Sequence, residues 1–157
     1  MDVKTYLNNK GIPFTSFSHS PVFTCEEAEK ERAYEKIRGI HSKNLFLKER
    51  KSKRFYLVIL PAEQKLDLKE IEKKTNDEIK FANEDDLKNI LGLTKGSVSP
   101  FGLINDLEHK TIVLIDKRVW GSEYVSFHPN VNTETLELLG KDFKAYISSL
   151  GNKFELI

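Results

Sequence analysis

The sequence predicts an α+β (mixed α/β) domain in which a curved mixed sheet, or a partial barrel, is flanked by helices. Three observations predict it. Two short runs, Phe55 to Leu60 and Thr111 to Ile115, are apolar almost without interruption, the pattern of strands buried on both faces. Capped amphipathic segments lie between the strand patterns. The two kinds of segment are interspersed without a regular β-α-β rhythm, so a mixed sheet is expected and not a wholly parallel one. With 157 residues the chain has the length of one domain, 1–157, with a core of its own.

The elements follow in order. Asp2 caps a short helix to Asn9, ended by Gly11. Phe14 to Ser18 reads as a strand, and His19-Ser20-Pro21 as a break. Thr24-Cys25-Glu26-Glu27 matches a capping box that opens a helix to about Ile37, closed by Gly39. Ile40 to Leu47 is a strand, Lys48 to Arg54 a charged turn, and Phe55 to Leu60 a strand stopped by Pro61, together a hairpin with a basic tip. Asp67 caps a helix to Lys74. Ile79 to Ala82 is a short strand, and Asn83 to Leu91 a capped helix. After a loop, Thr111 to Ile115 and Tyr124 to Phe127 are strands separated by a turn over Asp116 to Gly121. Thr133 to Leu138 is ambiguous between helix and strand and is assigned strand. Lys141 to Leu150 closes as a helix, with Phe143, Tyr146, Ile147 and Leu150 at helical spacing.

Composition excludes several classes. Hydrophobic content of 39% with charged content of 31% fits a globular chain and not a disordered one. No apolar run approaches a membrane span, and Met1 to Lys10 lacks a signal-peptide core. The single cysteine, Cys25, allows no intrachain disulfide and makes a reducing cytoplasm the expected location. A net charge of +1 is not the footprint of a protein that grips long duplex by charge alone, but it leaves room for a small basic patch.

Four features could carry chemistry. The loop Lys95-Gly96-Ser97-Val98-Ser99-Pro100-Phe101-Gly102 combines two glycines, two serines and a proline. Its composition suits either an ordinary surface loop or a backbone nest for a carbonyl or oxyanion. Ser97 and Ser99 are not in a nucleophile elbow, because Pro100 stands where its second glycine would be, so covalent catalysis is not expected. Lys43, inside a strand pattern, points either to solvent or into a pocket. His128, fixed by Pro129 at a strand end, is either a half-exposed histidine or a pocket wall. The basic tip Lys48, Arg50, Lys51, Lys53 and Arg54 is either a solvated turn or a phosphate contact. His19, His41, His109 and His128 are scattered, so no metal is expected.

Taken together these residues resemble the YbaK/ProX family of aminoacyl-tRNA editing domains. Gly96-Ser97-Val98-Ser99-Pro100 matches its Gly-x-x-x-Pro loop. His41-Ser42-Lys43-Asn44-Leu45-Phe46-Leu47 resembles its lysine-bearing strand, Phe127-His128-Pro129-Asn130 its strand-end histidine segment, and His19-Ser20-Pro21-Val22-Phe23-Thr24 with Glu26-Glu27-Ala28 its N-terminal entry. Lys-Asn-Leu-Phe-Leu and the Gly-Leu-Ile-Asn-Asp run look closest to the free-standing ProXp-ala (PrdX-like) branch. Cys25 stands where an aliphatic residue is more usual.

The resemblance implies a trans-editing deacylase that hydrolyses the ester of alanine mischarged on proline tRNA. Alternatives are another misacylated tRNA such as cysteinyl-tRNA(Pro), or a non-catalytic tRNA-binding module. It implies catalytic roles for Lys43, Gly96 and Ser97, and substrate contacts from Asn44, Val98, Ser99, Pro100, Phe101, Gly102 and His128. The expected partner is the acceptor end of tRNA, met by the basic tip, and a transient synthetase contact is left open. No cofactor, metal or membrane is implied.

Overall fold

The structure, a computed structural model, describes residues 2–18, 37–51, 53–131 and 133–157. The expected Thr24–Ile37 helix, with Cys25 and the His19 entry, lies largely outside them. Among the described residues, eight strands form two sheets. The larger has the order β4-β2-β3-β5-β8, with β2 (Ser42–Glu49), β3 (Phe55–Pro61), β4 (Ile79–Phe81), β5 (Thr111–Ile115) and β8 (Phe154–Leu156). β2 pairs antiparallel with β3 and β4, whereas β3–β5 and β5–β8 are parallel, so the sheet is mixed as expected. The smaller is antiparallel, with β1 (Thr15–Ser18), β7 (Glu134–Leu139) and β6 (Tyr124–Phe127) in the order β1-β7-β6. One parallel bridge, Ile40 to Val125, links the two, and no closed barrel forms among the described residues.

β3 is buried along its whole length because both of its faces are covered. Phe55, Leu57 and Ile59 join the main core with Val125, Phe127 and Leu136 of the small sheet and with Phe143, Tyr146 and Ile147 of the C-terminal helix (Gly140–Leu150). Tyr56, Val58 and Leu60 face a second core with Leu47, Leu114, Ile79 and Ile71, the last on the helix Leu68–Thr75 capped by Asp67. Period-two alternation thus divides one apolar strand between two cores.

The structure departs from the sequence reading at several boundaries. β2 starts at Ser42 and continues through Glu49, so Lys48 lies in the strand and the basic turn is shorter. Hydrogen bonds to two neighbouring strands extend it despite its charge. The Asn83-capped helix is a short α segment, Glu84–Asp86, that widens into a π turn, Leu87–Leu91. The loop ends in a 3-10 helix, Pro100–Asn105, with Pro100 in its first turn, where its missing N–H has no intrahelical role. Lys117–Trp120 forms one helical turn capped by Asp116. β8 has no counterpart in the sequence reading.

A buried carboxylate fixes the entry to β2. Glu137 of β7, about 2% exposed, accepts from the backbone N–H groups of Arg38 and Gly39 and from the Arg38 guanidinium (Nε 3.0 Å, Nη2 2.9 Å). The same guanidinium covers the Tyr124 ring at 4.0 Å. These charge-assisted bonds hold residues 38 and 39 against the small sheet, so β2 starts from a fixed point beside β6.

Candidate active site

The site lies beside the open part of β2. β4 pairs with β2 only from Leu47 to Glu49, and Ile40 bridges to β6. Between them, among the described residues, no strand lies along the edge from Ser42 to Leu45. A cavity of about 670 Å3 opens there. β2 contributes Lys43, Asn44 and Leu45 to its wall, β6 contributes Ser126 and Phe127, and β7 contributes Thr135. Its size suits a small organic group such as an aminoacyl nucleoside.

Of the residues expected at the site, Lys43, Asn44, Gly96, Val98 and His128 line the cavity together. Ser97, Ser99, Pro100, Phe101 and Gly102 do not: they form the buried backing behind the wall. The Ser97 hydroxyl donates to the Thr94 carbonyl at 3.1 Å. Ser99 is fully buried and its hydroxyl accepts from the Phe101 N–H at 3.1 Å, capping the 3-10 helix. Both serines therefore hold backbone rather than act as nucleophiles. Phe101 packs edge-on against Phe127 and Tyr146, and the Tyr146 hydroxyl donates to the Pro100 carbonyl at 2.7 Å. A Cβ on Gly102 would sit 2.6 Å from Leu93 Cδ1 and 3.1 Å from the Leu91 carbonyl oxygen, so only glycine lets the 3-10 helix pack this closely.

With that backing, the loop presents main chain to the cavity. Gly96 adopts a φ of +94°, which favours glycine. Ser97 N–H closes a turn onto the Thr94 carbonyl, but among the described residues no acceptor takes the N–H of Gly96 or Val98. Across the cavity, His128 Nδ1 lies 2.8 Å from the Glu134 carbonyl. A carbonyl only accepts, so Nδ1 carries the proton in this contact. Two residues of the wall each hold a buried side-chain oxygen without a partner, Ser42 Oγ and Asn44 Oδ1.

The basic tip divides in two. Lys48 Nζ is 3.2 Å from Asp86, and Arg54 pairs with Glu49 (3.1 Å) and Asp77 (3.4 Å). Hydrogen bonding to Glu49 leads the effects that raise the Arg54 pKa. Arg50, Lys51 and Lys53 are exposed. Among the described residues no group of histidines, cysteines and carboxylates is arranged to hold a metal ion. Sequence reasoning missed Phe81, Asn83, Glu84 and Thr135 in the wall. They come from two separate parts of the chain, and the way β4 stops at Phe81 brings the first three to the cavity.

Comparison with known proteins gives the family and the fold. The sequence profile of the aminoacyl-tRNA editing domain matches residues 19–146. The chain is 40% identical over 152 residues to the prolyl-tRNA editing protein ProX of Acetoanaerobium sticklandii, covering 96% of this chain and 92% of that protein. It is 30% identical to prolyl-tRNA synthetase associated domain-containing protein 1 of Xenopus laevis, covering 96% and 91%. The crystal structure of a hypothetical protein shares the fold with a TM-score of 0.76 at 15% identity, covering 97% of this chain and 95% of that one. A protein described as a candidate trans-editing enzyme for prolyl-tRNA synthetase does so with a TM-score of 0.70 at 16% identity, covering 98% and 92%. The chain belongs to the aminoacyl-tRNA editing domain (YbaK/ProX) family of aminoacyl-tRNA deacylases.

Proposed function

We propose that this deacylase acts in trans on proline tRNA and removes mischarged alanine. The observation that carries the reading is the pair of unengaged N–H groups, Gly96 and Val98, on the wall of a cavity that also holds Lys43 and His128. An aminoacyl ester is already activated, so orientation and donors aimed at the developing oxyanion can supply the rate without a protein nucleophile. Water attacks the ester carbonyl, and the Gly96 and Val98 N–H groups stabilise the tetrahedral oxyanion. The bond to the ribose oxygen then breaks, and that oxygen takes a proton, leaving free alanine and intact tRNA. Lys43 meets the ribose-phosphate end of the substrate. His128 bounds the side-chain pocket and rejects larger residues by steric clash, which discriminates far more strongly than the ~1–3 kcal/mol available from one missing methylene. Exposed Arg50, Lys51 and Lys53 meet the acceptor stem, and a synthetase contact, if made, is transient.

Single-turnover deacylation of alanyl-, cysteinyl- and prolyl-tRNA(Pro) tests the reading. Wild type is expected to release alanine, Lys43→Ala to lose most of that activity, and His128→Ala to gain activity on larger aminoacyl groups. Release of cysteine in place of alanine would overturn the substrate. No release from any of the three by the folded protein would overturn the reaction. An unchanged preference in His128→Ala would remove that residue from the pocket wall.

A further inference from the structure

We infer that Phe81 is the stacking platform for the terminal nucleobase of the substrate, a specificity element of the same site that rests on the aminoacyl-tRNA reading above. Phe81 is 56% exposed, unlike the phenylalanines of the core, and yet it lines the cavity. It is the last residue of β4 and pairs with Leu47 of β2. Strand alternation places Leu47, Leu45 and Lys43 on one face of β2, so Phe81 shares that face with Lys43. From Leu47 the edge runs toward Lys43 with no described strand beside it, about 7 Å per two residues. The aromatic ring and the ammonium group therefore flank the same open edge.

The chain leaves β4 immediately after Phe81. The Ala82 N–H donates to the Phe46 carbonyl at 3.0 Å, and Asn83 caps the next helix with a reciprocal bond pair to Asp86. Both ends of the turn are fixed, so the ring stands at a defined place on the rim. An aromatic face at a cavity mouth, with lysines Lys43 and Lys95 in the wall, matches the pairing of stacking surface and cation used to hold single-stranded nucleic acid. Such stacking tolerates any base, so it would seat the terminal nucleotide without reading sequence, while the ester end reaches Gly96 and Val98.

The test uses the full-length protein and proline tRNA carrying 2-aminopurine as its 3′-terminal base, whose fluorescence falls on stacking. Wild type is expected to quench it. Phe81→Ala is expected to lose the quenching and to bind roughly ten-fold more weakly, within the ~5- to 150-fold range of one lost base–aromatic stack. Phe81→Trp is expected to restore both, and Phe81→Leu, which keeps apolar bulk without a π face, is expected not to. Quenching retained in Phe81→Ala, or rescue by Phe81→Leu equal to that by Phe81→Trp, would overturn the platform. Because this readout needs no turnover, quenching by wild type without alanine release would sink the substrate assignment while keeping the platform. Alanine release with quenching unchanged in Phe81→Ala would do the reverse.

Discussion

The loop at 95–102 and the basic turn at 50–54, which joins β2 to β3, both carry residues expected at the site. The chain holds them in opposite ways. The loop is anchored from behind: Ser97, Ser99, Pro100, Phe101 and Gly102 are all buried, and Ser99 and Tyr146 bond to its backbone. The turn is anchored at its flanks: Lys48 and Arg54 are tied to carboxylates, while Arg50, Lys51 and Lys53 face water. Rigid main chain suits a site that must aim N–H groups at one carbonyl oxygen. Solvated cations suit a contact that needs only charge, because phosphate attraction tolerates imprecise geometry. Side-chain identity in the loop is therefore expected to act mostly on stability, and in the turn mostly on affinity.

Phe101→Ala should break this contrast most severely. It empties a fully buried site between Phe127 and Tyr146 and should cost about 3–5 kcal/mol by urea denaturation. A cost below about 1 kcal/mol would mean the backing is not rigid. Next, Ser99→Ala removes the 3-10 cap and should cost about 0.5–2 kcal/mol. Ser97→Ala at the neighbouring position should leave the chemical step within a few-fold of wild type, since the hydroxyl is bonded back to Thr94; a hundred-fold loss in single turnover would make Ser97 catalytic after all. The smallest effect is expected from Lys51→Gln with Lys53→Gln. Unfolding free energy should move by less than about 0.5 kcal/mol. The slope of log affinity for tRNA against log salt should fall by roughly one per cation removed. An unchanged slope would detach the turn from the tRNA.

What the sequence made legible follows the range of the interactions involved. β3 could be read because burial on both faces leaves a continuous apolar run, and the Asn83 and Asp67 caps because capping is local. The Thr133–Leu138 ambiguity resolves as β7 because Leu136 and Leu138 alternate into the core while β1 and β6 pair on either side. Lys48 was misplaced into the turn because its partner, Asp86, lies 38 residues away and no charge pattern announces it. Pro100 reads as part of a loop from composition but is a first-turn residue of a helix once Ser99 caps ahead of it. The Gly96–Pro100 motif singles out a segment beside the cavity but not which of its residues face it. Burial decides that, and burial is set by Tyr146 and Phe127 from distant parts of the chain.

β8 bears on solubility. Its three exposed residues lie alongside β5, and Val113 N–H donates to the Lys153 carbonyl at 2.9 Å. Without them, the run Thr-Ile-Val-Leu-Ile would become the margin of the sheet, flat, apolar and uncharged, the kind of margin on which chains stack into fibrils. The last strand thus serves as a cover against self-association, and a chain that has not yet paired it would be the aggregation-prone form.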